Sequence, residues 1–216
     1  MAAKTPHYSD NPAAFPLEGG CACGHVRYRL EKAPLFVQCC HCTSCQREMG
    51  SAFVINALVE SQHVTLLPPS PPFAPANPNS PDEFPACSPA LAPPEQAQGV
   101  ARLVVVAMPS QSGLGQEIMR CPSCFTIVWS HYGSTGPAMT FIRTSTLDRA
   151  WLIDPDVQIY VASKRHFFDI ADGKPQFDGF YPSREALYRP ESMDRYRKIL
   201  PDINIYRRSK GLEERT

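Results

Sequence analysis

The stretch QCCHCTSCQREMGSAF, residues 38–53, brings together Cys39, Cys40, His41, Cys42 and Cys45. Two shorter motifs accompany it, Cys21-Ala22-Cys23 and Cys121-Pro122-Ser123-Cys124. Thiols clustered in this way form disulfides, redox dithiols or metal sites. Nine cysteines is an odd number, so complete internal pairing is impossible. The opening MAAKTPHYSDNPAAFP has no apolar signal core, and no apolar run approaches the roughly 20 residues of a spanning helix. The expectation is a soluble, cytoplasmic chain with reduced thiols, in which clustered cysteines lean to metal binding or catalysis.

A structural zinc takes four thiolate or imidazole ligands at tetrahedral corners. In a strand, residues i and i+2 share a face, so Cys21 and Cys23 can aim at one point. The Cys121–Cys124 knuckle can supply the other two ligands, and such a zinc adds on the order of 10 kcal/mol to folding. The competing reading of Cys121 and Cys124 is a redox pair, although no βαβ pattern surrounds them. The same parity groups Cys40 with Cys42 and turns Cys39 and His41 to the opposite face. Cys40, Cys42 and Cys45 then form three ligands with an open fourth position, the arrangement of a catalytic zinc. The alternative adds Cys39 or Cys87 as a fourth ligand and makes the site purely structural. Parity opposes Cys39, and Cys87 falls in a proline-rich stretch.

These ligands need a scaffold. Short runs with β character recur from Gly19 onward: HVRYRL, LFVQCCH, SAFVINALVE, HVTLL, ARLVVVAM, TIVWSHY, AMTFIRTST and VQIYVA. Val26, Tyr28 and Leu30 alternate with Arg27 and Arg29, the period-2 mark of a half-buried strand. A mainly β, antiparallel domain over residues 18–180 follows, behind a flexible leader at 1–17. Residues 68–99 are too rich in proline for regular pairing and read as an insertion between strands. Residues 181–216 read as a partly helical C-terminal extension, with SREALYRP and ESMDRYRKIL as short helices, the second begun by Pro190 with Glu191 in its first turn. The basic tail YRRSKGLEERT reads as a solvated end. With 21 basic and 21 acidic side chains, no global field points to nucleic acid or a membrane surface.

The segments GGCACGHVRYRL, CHCTSCQREMGSAF and RCPSCFTIVW, in that order, resemble the glutathione-dependent formaldehyde-activating enzyme family, which includes the centromere protein V group. VQIYVASKRHFFDIADGKPQFDGF resembles the family's closing segment. The resemblance implies a zinc-clamped, Mss4-like β fold with a structural zinc at Cys21, Cys23, Cys121 and Cys124. It also implies a second, more labile zinc at Cys40, Cys42 and Cys45, near a glutathione-binding surface. The implied activity is that of an S-(hydroxymethyl)glutathione synthase, a carbon–sulfur lyase-type reaction run in the synthetic direction. Two features depart from the family: Phe125 stands where it has glycine after the CxxC, and the insertion and C-terminal third are long.

Glutathione carries two carboxylates, and Arg47 is the cation best placed for them by sequence, with Lys164 and Arg165 behind it. His41, His131 and His166 are the available imidazoles, and Trp129 and Phe53 read as core. The leading expectation is a zinc-dependent enzyme acting on a small carbonyl compound or its glutathione adduct, within specialised metabolism. A non-enzymatic zinc-binding interaction module and a thiol redox protein are the competing readings. Neither the oligomeric state nor the substrate is legible.

Overall fold

The computed structural model describes residues 6–69 and 99–215. Cys87 and most of the expected insertion lie outside them. The eight apolar runs each contain a strand. β1 (Leu17–Gly20), β2 (Arg27–Leu30) and β5 (Val64–Leu67) form a small antiparallel sheet. β3 (Phe36–Cys40), β4 (Val54–Glu60), β6 (Val104–Met108), β7 (Gln116–Arg120), β8 (Ile127–Tyr132), β9 (Met139–Arg143), β10 (Val157–Ile159) and β11 (Gln176–Phe177) form a large one. Its order is β11-β10-β3-β4-β9-β8-β7-β6.

The large sheet is mixed rather than purely antiparallel, because β10 runs parallel to β3 and β11 runs parallel to β10. The chain leaves β9 and crosses behind β4 through a long irregular connection, which returns β10 in the direction of β3. Two strands carry little apolar signal of their own. β7 reads QEIMR, and its place is set by pairing, with Met119 opposite Val105 on one side and Trp129 on the other. β1 reads LEGG, and a Cβ on Gly19 would lie 2.6 Å from the Thr146 carbonyl oxygen, so the close approach of that loop requires glycine.

Strand alternation divides the buried side chains between two cores. Val37, Ala57, Val59 and Ile142 face the small sheet, together with Tyr28, Trp129 and Leu147. Phe36, Cys40, Leu58, Met139 and Phe141 face the other way, against the C-terminal extension. That extension contains one long helix, α2 (Pro190–Ser209), with Pro190 at its first position and Glu191 in its first turn. SREALYRP is a hydrogen-bonded turn, closed by the Leu187 and Tyr188 amides on the Arg184 carbonyl. The buried face of α2, Met193, Tyr196, Ile199 and Ile203, meets Tyr181 and Tyr188, and Tyr188 stacks on Phe36 at 4.3 Å between ring centroids.

The expected flexible leader is docked from His7 onward. His7 and the Tyr8 hydroxyl both bond the Asp156 carboxylate, which also accepts the Val37 amide at 2.8 Å. No helix among the described residues is long and apolar enough to cross a membrane.

Arg195 fastens α2 to the sheet. Its guanidinium donates to both oxygens of Glu60, at 2.8 and 2.6 Å, and to the Ala33 carbonyl at 2.9 Å. Glu60 is buried, so truncating the arginine strands a charge. Arg195→Ala should cost about 2–3 kcal/mol in urea unfolding, below the ~3–5 kcal/mol of a fully buried pair because the arginine side chain is 23% exposed. A loss under about 0.5 kcal/mol would show that α2 docks through its apolar face alone.

Candidate metal centres and cavity

Each sheet face carries one thiol cluster. The sulfurs of Cys21, Cys23, Cys121 and Cys124 all lie within 4.8 Å of one another, and so do those of Cys40, Cys42 and Cys45. All eight described cysteines are free thiols. Zn–S bonds of about 2.3 Å at tetrahedral angles separate sulfurs by about 3.8 Å. Cys21 and Cys23 stand 3.5 Å apart, and Cys23 and Cys121 stand 3.7 Å apart. Both clusters therefore fit a thiolate-bound ion such as zinc.

The first cluster is built from two matching turns rather than from strand parity. Cys21 follows the end of β1, and its amide donates to the Val26 carbonyl while Gly24 N–H donates to the Cys21 carbonyl. In the second turn Cys121 N–H donates to the Thr126 carbonyl, and Phe125 N–H donates to the Cys121 carbonyl. Backbone amides point at the sulfurs in both turns, from Val26 to Cys21 Sγ at 3.2 Å and from Ser123 to Cys121 Sγ at 3.4 Å. Such donors stabilise thiolates. Burial pushes the Cys124 thiol up, but the Thr126 hydroxyl and amide outweigh it and bring it down to about 6. The left-handed position is filled by Gly24 at φ +75° in one turn and by Phe125 at φ +59° in the other. The phenylalanine thus keeps the knuckle geometry that a glycine gives, at a steric cost.

The second cluster is assembled across a strand end and a helix. Cys40 is the last residue of β3, and Cys42 caps a seven-residue helix, α1 (Thr43–Met49). Cys42 Sγ accepts the Cys45 amide at 3.4 Å, so the cap itself brings Cys42 and Cys45 together. Gly50, at φ +61°, ends the helix. The good helix formers Gln46, Arg47, Glu48 and Met49 before that glycine were the sequence signal for α1. Cys39 and His41 do face away: His41 Nε2 lies 2.7 Å from Gln158 Oε1 and 3.6 Å from Cys39 Sγ.

Three thiols this close cannot all ionise unaided. Hydrogen bonds from Cys40 and Cys45 draw the Cys42 thiol down to about 3, while the same contacts and burial push Cys40 far up. Cys42 is thus the most acidic of the three, and a dication would allow all three to be thiolates.

A buried ion pair fixes α1. Glu48 pairs with Arg143 of β9, both side chains 2% exposed, and also accepts from Gln116 of β7 at 2.7 Å. Arg143 also donates to Asn56 of β4. Glu48 lies one turn after Cys45, so this network holds the third thiol against the sheet.

The trio opens on a cavity of about 370 Å³. Leu58, Met139, Phe141, Ile159 and Phe180 give it apolar walls, and Tyr132, Tyr160, Arg184, Arg207 and Arg215 give it polar groups. The Tyr132 hydroxyl is 4.0 Å from Cys45 Sγ, and burial together with the nearby thiols holds it protonated. Tyr160 adopts φ +56°, a strained conformation for a side chain facing a site. None of these residues announces itself in sequence, because three belong to the C-terminal extension and no local pattern links them to the cysteines.

The expected glutathione cation lies elsewhere. Arg47 lines a separate groove with Arg165 and Phe167, on the side of α1 turned away from the cavity. The tail read as solvated folds back instead: Asn204 and Arg215 exchange two hydrogen bonds, and Arg207 donates to the Ser134 carbonyl at 3.0 Å. His131 bonds Thr140 Oγ1 at 3.1 Å and faces another groove, His166 is exposed, and Trp129 is core, whereas Phe53, expected in the core, is exposed and packs beside His41.

Fold and site together define a mainly β domain with two cysteine clusters able to hold zinc. Residues 16–75 match the family model of the glutathione-dependent formaldehyde-activating enzyme. The match takes in Cys21, Cys23, Cys40, Cys42 and Cys45 and ends before Cys121 and every arginine of the cavity. No curated protein matches the chain.

Phe125→Gly should stabilise the protein by about 0.5–1 kcal/mol in guanidinium unfolding, since relief of left-handed strain exceeds the entropy cost of glycine. The ring is 61% exposed and loses little burial. Equal or lower stability would mean that the exposed ring contributes more than the strain costs.

Proposed function

We propose that the chain is a zinc-dependent carbon–sulfur lyase-type enzyme acting on a small carbonyl compound or its glutathione adduct. The supporting observation is the trio Cys40, Cys42 and Cys45 on the wall of a closed-in, largely apolar cavity. Cys21, Cys23, Cys121 and Cys124 are assigned to a structural zinc that ties β1 to the β7–β8 turn. The trio is assigned to a second zinc with an open position. An interaction module needs only the first of these and has no use for the cavity. Eight free thiols suit the reducing cytoplasm, the compartment we assign.

When bound at the trio, zinc would supply Lewis acidity that favours thiolate over thiol or polarises a carbonyl oxygen. In the synthetic direction a thiolate sulfur bonds to the carbonyl carbon, the π pair moves to oxygen, and that oxygen takes a proton. Cleavage is the reverse. Tyr132 is the hydrogen-bond donor we assign to that oxygen, because its hydroxyl is protonated and beside Cys45. Leu58, Phe141 and Ile159 keep water from the reacting atoms.

Elemental analysis of the purified chain should give two zincs, falling to one in Cys42→Ser with the far-ultraviolet dichroism unchanged. Turnover of formaldehyde or larger aldehydes with glutathione should fall to background in that variant. Equal zinc in both proteins would remove the second metal from the reading, and unchanged turnover would remove the trio from the active site.

A further inference from the structure

The cavity beside the thiol trio holds three guanidinium groups without counter-charge. Among the described residues, no carboxylate pairs with Arg184, Arg207 or Arg215. Two acids adjacent to them in sequence are engaged elsewhere: Glu214 pairs with Arg208, and Glu185 accepts from Ser183. Arg184 and Arg215 are both held near Tyr196, the Arg184 guanidinium 5.1 Å from its ring, and each keeps a fully buried N–H without a partner, Arg184 Nε and Arg215 Nη1. Burial and the like charge of Arg184 both weigh against the Arg215 cation. A dication on three thiolates leaves one net negative charge, too little for three guanidiniums. Half-buried charges of one sign, two of them with a buried N–H that has no partner, are costly unless an anion meets them.

We infer that Arg184, Arg207 and Arg215 form a carboxylate-binding subsite, so that the substrate is a carbonyl compound with an apolar body and a carboxylate at a separate position. Guanidinium forks match a carboxylate's two oxygens. Leu58, Met139, Phe141, Ile159 and Phe180 give a hydrocarbon or aromatic body an apolar wall to lie on, while Gln38, Gln111, Gln116 and Thr135 add polar groups to the lining. The Arg207 guanidinium is oriented by its bond to the Ser134 carbonyl, and Asn204 fixes the backbone of Arg215 through that residue's own N–H and carbonyl. As a statement about substrate, this rests on the trio being the reaction centre; as a statement about binding, it does not.

The test is calorimetric titration of the full, zinc-loaded chain with 4-carboxybenzaldehyde and with 4-formylbenzamide, which share ring and aldehyde and differ in charge. The acid should bind at least about tenfold more tightly than the amide. Arg184→Gln and Arg215→Gln should each bring the acid's affinity close to the amide's, at unchanged zinc content. If Arg184→Gln does not fold, Arg215→Gln and Arg207→Gln carry the comparison. Inorganic phosphate should not displace the acid at equal concentration. Equal affinities for the two probes, no saturable binding of the acid, displacement by phosphate, or a preference that survives in the arginine variants would each overturn the carboxylate subsite. Zinc content and the Cys42→Ser turnover test the reaction centre separately, so one idea can fail while the other stands.

Discussion

Seven buried or half-buried thiols placed on opposite faces of one sheet impose the constraint on which the rest of this structure depends. Thiolates within 4.8 Å of one another repel, and thiols packed that closely in an apolar core gain little by themselves. A cation at each cluster removes the conflict. On one face it would join two turns that lie about a hundred residues apart in the chain and close the first core. On the other it would sit where β3 ends and α1 begins, next to open volume. Under the proposed function, the same ligand chemistry would serve a clamp where the surroundings are filled and a reactive centre where they are not.

The Cys40–Cys42–Cys45 trio depends on an accurate seat for α1. A seven-residue helix has little stability of its own, and here it is placed by the Glu48–Arg143 pair and its hydrogen bonds to Asn56 and Gln116. Buried pairs of this kind add modestly to stability but are sensitive to geometry, which is the property a metal ligand one turn away requires. Three strands converge on one helix, so a shift of any of them is felt at Cys45.

The C-terminal extension has the opposite character, large and apolar. Phe36, Tyr181, Tyr188 and Tyr196 form a ladder of rings between the sheet and α2, and Gly136 lets Tyr206 lie directly on the turn before β9, where a Cβ would come within 2.3 Å of its ring. This packing turns the second sheet face from a surface into a chamber. It also delivers the arginines that distinguish this cavity, from a part of the chain beyond the reach of the family match.

Cysteine spacing indicated which thiols could belong together, because metal ligation needs few residues at short, fixed separations, and short apolar runs located eight of the eleven strands. Side-chain parity also removed Cys39 and His41 from the trio, since the face of a strand is a local property. Parity did not foresee that Cys42 would cap a helix and that Cys21 would sit in a turn, where hydrogen bonds rather than pleat direct the sulfurs. Strands β1 and β7, the parallel return of β10, the seat of α1 and the refolded tail were decided by tertiary structure. Except for β10, their own residues are mostly polar or glycine-rich, and their positions follow from partners dozens of residues away. Arg47 shows the limit most plainly: two residues from a ligand in sequence, it faces the other side of a helix, while Arg184 and Arg215 reach the cavity from the far end of the chain, because burial against α2 rather than proximity in sequence determines which charges meet a ligand.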